Sequence, residues 1–82
     1  MIKIVMMDDE QLILESLKAL IPWSQLDCTC VGMANDAETG VEIIAQTKPD
    51  IVITDIVMPG KSGLDIAQYC QKANIKVIII LL

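Results

Sequence analysis

Histidine and phenylalanine are missing from this 82-residue chain, and its aromatic residues are one Trp and one Tyr. Without histidine, the mixed cysteine–histidine zinc patterns have no nitrogen ligand. The three cysteines, Cys28, Cys30 and Cys70, supply neither the four spaced ligands of a structural zinc site nor an even set for a disulfide framework. They read as packing residues in a reducing, cytoplasmic setting. Cys28 and Cys30 are two apart, so on a strand both face the same way. Basic residues are also scarce: six Lys and Arg stand against eleven Asp and Glu, for a formal net charge of −5. That balance excludes a segment that grips nucleic acid or an anionic membrane by itself, since both need basic surface. No stretch reaches the roughly 18–20 apolar residues of a membrane span. The opening MIKIVMM is too short for a signal-peptide core and runs straight into Asp8-Asp9-Glu10.

What the chain does have is aliphatic bulk. Hydrophobic residues make up 54% of it, so the core is built from Ile, Leu, Val, Met and Ala. Such a core suits a parallel sheet covered by helices, whose central strands are apolar on both faces. Lys3 to Met7 reads as a first strand. A helix from about Glu10 to Leu20 follows, with Ile13, Leu17, Leu20 and Ile21 at helical spacing and acids in its opening turn suiting the helix dipole. Pro22 stops that helix, and Cys28 to Ala34 reads as a second strand, with Val31 and Met33 its larger apolar residues. Asn35-Asp36-Ala37-Glu38 resembles a capping box with Asn35 as the cap. The helix it opens, to about Thr47, is expected to bury Ala37, Val41, Ile44 and Ala45. Lys48-Pro49-Asp50 breaks it.

Ile51 to Thr54 is a third strand, and Met58-Pro59-Gly60 a rigid turn beyond it. Ser62-Gly63-Leu64-Asp65 is a second capping signal, for a helix to about Lys72 that buries Leu64, Ala67 and Cys70. Val77 to Leu82 reads as a fourth strand. The order β-α-β-α-β-α-β predicts an α/β fold, a doubly wound parallel sheet with right-handed crossovers. No internal repeat, low-complexity tract or linker divides the chain.

An acid, Asp55, stands where the third strand runs out, and Asp8 and Asp9 stand where the first does. In a doubly wound sheet the carboxyl ends of the strands share one edge, and ligands bind there beside the switch in strand order. If the first and third strands are neighbours, three carboxylates converge. Two unit charges about 5 Å apart repel by roughly 3 kcal/mol at an effective dielectric of 20. Convergence therefore either raises a pKa or recruits a cation, and Mg²⁺, a small hard ion that takes oxygen ligands, fits best. With its charge offset, Asp55 becomes able to attack phosphorus and form an aspartyl phosphate. Taken singly, each acid is explained as cheaply by capping and solvation, and Pro59-Gly60 alone is only a turn signal. The combination is the specific feature.

Val5-Met6-Met7-Asp8-Asp9-Glu10 together with Asp50-Ile51-Val52-Ile53-Thr54-Asp55-Ile56-Val57-Met58-Pro59-Gly60 resembles the receiver domain of a bacterial two-component response regulator. The resemblance implies a flavodoxin-like sheet of strand order 2-1-3-4, with a sensor histidine kinase passing phosphate to Asp55. It also implies Mg²⁺ held directly by Asp9 and Asp55, through water by Asp8, and by the backbone carbonyl of Val57. Ile21-Pro22-Trp23 further resembles receivers joined to AraC-type DNA-binding domains, which implies an output domain controlling transcription; Trp23 is explained equally as a cap on the core.

Receivers have five strands and five helices, so residues 1–82 correspond to the first two-thirds of one, truncated after strand 4. The family's switch hydroxyl, a Ser or Thr ending strand 4, falls near Leu81, which has no hydroxyl. Its lysine at the end of strand 5 has no counterpart; neither Lys61 nor Lys76 matches it. The stretch VIIILL is strand-prone, uncharged and free of proline, which predicts self-association at an open edge. Two competing readings follow. One is a phosphatase of the haloacid-dehalogenase type, set aside because its second Asp would fall at Val57. The other is an interaction or scaffold fragment that has lost phosphorylation and self-associates through its exposed strand.

Overall fold

The computed structural model describes residues 1–56 and 62–82. Four strands and three helices alternate: β1 Ile2–Met7, α1 Gln11–Leu20, β2 Cys28–Ala34, α2 Ala37–Thr47, β3 Ile51–Thr54, α3 Gly63–Lys72 and β4 Ile78–Leu81. All strand pairs are parallel, in the order β2-β1-β3-β4. This is the flavodoxin-like order expected from the sequence. The chain steps from β1 outward to β2, then back across β1 to β3, so the direction of winding reverses between β1 and β3. Right-handed crossovers then place α1 on one face and α2 and α3 on the other.

β1 has two neighbouring strands and helices on both faces, so four consecutive residues, Ile4 to Met7, are buried. Val5 and Met7 pack with Ala34, Ala37, Ile44, Val52, Ile66 and Cys70 under α2 and α3. Ile4 and Met6 pack with Leu14 under α1, joined by Leu17, Ile21, Trp23, Cys28, Cys30, Met33, Ile51 and Ile53. Burial pushes the Cys70 thiol above its ordinary pKa, as expected for a packing cysteine that stays protonated.

All three helices differ in detail from the sequence reading. In α1 the buried side chain is Leu14, with Leu17 and Ile21 beside it, whereas Leu20 is 79% exposed and Ile13 lies on the rim. Spacing alone allowed either stripe; the phase is set by the loop that leaves β1. Glu10 is the N-cap residue and the first turn of α1 holds no acid, so the proposed charge–dipole pairing there is absent. In α2 the cap is Asp36, not Asn35: its carboxylate accepts the Thr39 N–H at 2.8 Å. α2 also buries Gly40 in place of Ala45, because Met7 reaches across to the glycine. α3 carries the predicted capping box between Ser62 and Asp65, but buries Gly63, Ile66 and Cys70 and leaves Leu64 exposed.

β2 contains a register shift opposite Ile4/Val5, with Cys30 and Gly32 paired to consecutive β1 residues. Val31 is the extra residue of this bulge. Cys28 and Cys30 do face the same side, toward α1, but the bulge reverses the alternation after them. Val31 packs toward α2, opposite Cys30, but Met33, which plain alternation would put beside Val31, packs toward α1.

Candidate metal and phosphoacceptor site

The backbone that leaves β1 is held on both sides. Asp8 N–H donates to the Ala34 carbonyl at the end of β2 (3.1 Å), and Asp55 N–H donates to the Met7 carbonyl at the end of β1 (3.2 Å). These two bonds extend the ladders by one residue and bring the three strand ends level. Asp8 is buried, at 6% exposure, and its Oδ1 accepts the Glu10 N–H at 2.9 Å. Asp9 is exposed and Asp55 half-buried. One carboxylate oxygen from each of Asp8, Asp9 and Asp55 lies within 4.8 Å of the others.

That spacing fits a single hard cation. Mg²⁺ takes oxygen ligands at about 2.0–2.1 Å, so carboxylate oxygens gathered this closely are near enough for one such ion to draw them together. The donors are all carboxylate oxygen, the class such an ion prefers. The fourth expected ligand, the carbonyl of Val57, lies outside the described residues, as do the Met58-Pro59-Gly60 turn and Lys61.

Around Asp55 the packing is close. Thr54 is fully buried and its hydroxyl donates to the Asp55 carbonyl at 3.0 Å. Gly63, the first residue of α3, donates its N–H to the Ile56 carbonyl at 2.7 Å. A methyl group on Gly63 would meet the Asp55 carbonyl oxygen at 2.9 Å and Leu81 Cδ2 at 2.7 Å. Leu81 pairs with Thr54 in the β3–β4 register, and Leu82 N–H donates to the Thr54 carbonyl at 3.0 Å. Leu81 thus stands one strand over from the residue before Asp55, where a switch hydroxyl was expected from the family pattern. Lys76 lies at the other end of the sheet, before β4. It lines, with Asp50, Cys70, Ile75 and Ile78, a cavity of about 770 Å³. That cavity includes none of Asp8, Asp9 and Asp55, so its size is no guide to the chemistry.

The sequence reading missed one polar residue at this edge. Asn35 projects its Nδ2 to the Asp8 carbonyl (3.4 Å) and to Gln11 Oε1 (2.8 Å). The signal was present: Asn35 and Asp36 are both cap formers, and a helix takes only one.

The comparisons with known proteins agree with this geometry. The model of the response regulator receiver domain matches residues 4–82. An uncharacterized response regulatory protein of Staphylococcus epidermidis is 39% identical over 80 residues, covering 98% of this chain and 32% of the relative. The transcriptional regulatory protein HptR of Staphylococcus aureus is likewise 39% identical over 80 residues, with the same coverage. The chain therefore spans about a third of the length of these curated relatives. Among solved structures, a two-component transcriptional regulator AraC from Clostridium phytofermentans superposes with a TM-score of 0.90 at 26% identity, over 99% of this chain and 63% of that one. The response regulator domain of CheB from Thermotoga maritima gives 0.83 at 32% identity, over 98% and 60%. With its winding order, its level strand ends and its match over residues 4–82, the chain belongs to the receiver domains of response regulators.

Proposed function

We propose that this chain is a phosphoryl-accepting signalling module, with Asp55 the acceptor and a partner histidine kinase the donor. The observation that carries the reading is the convergence of Asp8, Asp9 and Asp55 at the carboxyl ends of β1 and β3. In the transfer, one Asp55 carboxylate oxygen bonds to phosphorus as the P–N bond of a phosphohistidine breaks, and the imidazole leaves. Asp8, Asp9, Asp55 and the Val57 carbonyl would hold Mg²⁺. When bound, the ion offsets the negative charge gathered by the carboxylates and the incoming phosphoryl oxygens. Asp8, buried and tied to Glu10 N–H, supplies a fixed charge, while exposed Asp9 is free to take up a ligand position.

By the same reading, the full-length protein is cytoplasmic and couples the receiver to an output domain that controls transcription; HptR and the Clostridium protein are transcriptional regulators. No helix among the described residues is long and apolar enough to cross a membrane. The outer edge of β4 has no strand partner among the described residues, and Ile78, Ile80, Leu81 and Leu82 are exposed. These features support self-association of the 82-residue chain by edge pairing. Sedimentation at rising concentration is the check, and a monomer throughout removes that part.

Incubation with acetyl phosphate and Mg²⁺, read by intact mass, tests the acceptor. The expected result is one labile phosphoryl adduct that is lost in Asp55→Asn and in metal-free buffer. An adduct that survives Asp55→Asn, or none in the parent, sinks the assignment.

A further inference from the structure

We infer that Asn35 is the positioning residue of the acidic cluster, fixing the strand-to-helix loop that carries Asp9. This rests on the reading of Asp8, Asp9 and Asp55 as a cation site. The Asp8 peptide is gripped at three points. Its N–H goes to the Ala34 carbonyl, its carboxylate takes the Glu10 N–H, and its carbonyl takes one Nδ2 hydrogen of Asn35. The second Nδ2 hydrogen goes to Gln11 Oε1, on the first residue of α1.

Asn35 thereby ties down the carbonyl immediately before Asp9 and the helix residue two places after it. Asp9 itself is exposed, so these flanking ties are what confine its Cα. Asn35 can serve because Asp36 has taken over the cap of α2, leaving the Asn35 amide unclaimed by its own helix. It sits one residue beyond Ala34, so the end of β2 supplies both the backbone acceptor and the side-chain donor for Asp8. An amide with two hydrogens aimed at two acceptors is required; a carboxylate has no donor to offer and a hydroxyl has only one.

The test uses Asn35→Ala and Asn35→Leu. Both remove the donors, and the leucine keeps most of the volume. Removing two hydrogen bonds that orient one ligand, the part-buried one to the Asp8 carbonyl and the exposed one to Gln11, predicts a loss of Mg²⁺ affinity of about two- to tenfold, read by amide NMR titration. Thermal melting of the metal-free protein should barely move, because Asn35 is exposed. In the same metal-free samples, ¹⁵N relaxation should show greater motion at Asp9, Glu10 and Gln11. Gln11→Met, which leaves the bond to the Asp8 carbonyl, should lose less affinity than either Asn35 variant. Parental Mg²⁺ affinity in a folded Asn35→Ala or Asn35→Leu, or unchanged relaxation at Asp9, overturns the inference. If the parent itself fails to bind Mg²⁺, the cation reading falls and the relaxation measurement alone decides whether Asn35 orders the loop.

Discussion

Gly63→Ala is the substitution that most directly probes how α3 is set against the acceptor. The added Cβ would lie 2.7 Å from Leu81 Cδ2, 2.9 Å from the Asp55 carbonyl oxygen and 3.2 Å from Thr54 Cγ2. Against ordinary contact, the leucine methyl is the closest and the threonine methyl the least crowded. These neighbours do not yield equally. Leu81 is 37% exposed and its side chain can swing outward. The Asp55 carbonyl cannot, because Asp55 N–H is fixed to Met7 and the carbonyl itself takes the Thr54 hydroxyl. The first turn of α3 must therefore back away by about half an ångström, straining the Gly63-to-Ile56 bond. Overpacking of this kind costs about 1–3 kcal/mol, which in a domain this small lowers the melting temperature by about 4–8 °C per kcal/mol. Urea unfolding gives the magnitude, and amide shifts at Asp55 and Ile56 show where the strain goes. In Gly63→Ala/Leu81→Ala the leucine contact is gone but the carbonyl contact remains, so only part of the loss should be recovered. A single variant as stable as the parent, with Asp55 shifts unmoved, would refute the argument that backbone rather than side chain limits this site.

The two α1 stripes make opposite predictions: Leu14→Ala should cost about 2–5 kcal/mol because the side chain is 1% exposed, while Leu20→Ala should stay within about 0.5 kcal/mol, both by chemical denaturation. The cap of α2 should show in acid. Hydrogen bonding from Thr39 holds the Asp36 carboxyl below its ordinary value of 3.8, so its contribution is present above that pH and is lost as pH falls through the lowered value. Asp36→Ala should be less stable than the parent at neutral pH, and the gap should begin to close only as pH falls below about 3.8 in a urea-midpoint series; a constant gap down to pH 2 would contradict the assignment.

The sheet was legible in the sequence because its signals are redundant. Ile51 to Thr54 is bounded by Pro49-Asp50 on one side and an acid on the other, and both strand ends carry carboxylates where the winding reverses. What was not legible depended on phase and on competition between adjacent residues. Ile13, Leu14, Leu17, Leu20 and Ile21 offer two overlapping stripes on one helix, and only the path from Asp8 to Gln11 decides between them. Asn35 and Asp36 compete for one cap, and the winner is set by where β2 ends: Ala34 bonds to Asp8, which leaves Asn35 beside the β1 loop and Asp36 over the helix. The bulge at Val31 was hidden for a related reason. Alternation can be read from a sequence, but a single extra residue inverts it, and Val31-Gly32-Met33 has no polar residue to mark the change.

Register joins the fold to the site. Met7 pairs with Thr54, so the residues after them, Asp8 and Asp55, emerge side by side; a slip of one residue would turn every β3 side chain to the opposite face. Two devices far from the acids resist that slip. At the opposite end of β1, Lys3 N–H donates to Asp50 Oδ2 and Asp50 N–H to the Lys3 carbonyl, both at 2.8 Å. The Lys3 ammonium meanwhile donates to the Thr47 carbonyl at 2.7 Å, placing a cation at the negative end of α2. Between these anchors Ile51 and Ile53 face α1, and Val52 faces α2 and α3. The meeting of three like charges is unfavourable in itself, so it persists only where the rest of the domain over-determines it. Here the buried alternation of β1 and β3 and the Lys3–Asp50 clasp supply that constraint from outside the site. Asp50→Ala should accordingly loosen the pairing at the far end of β3 while leaving the acids' own contacts in place.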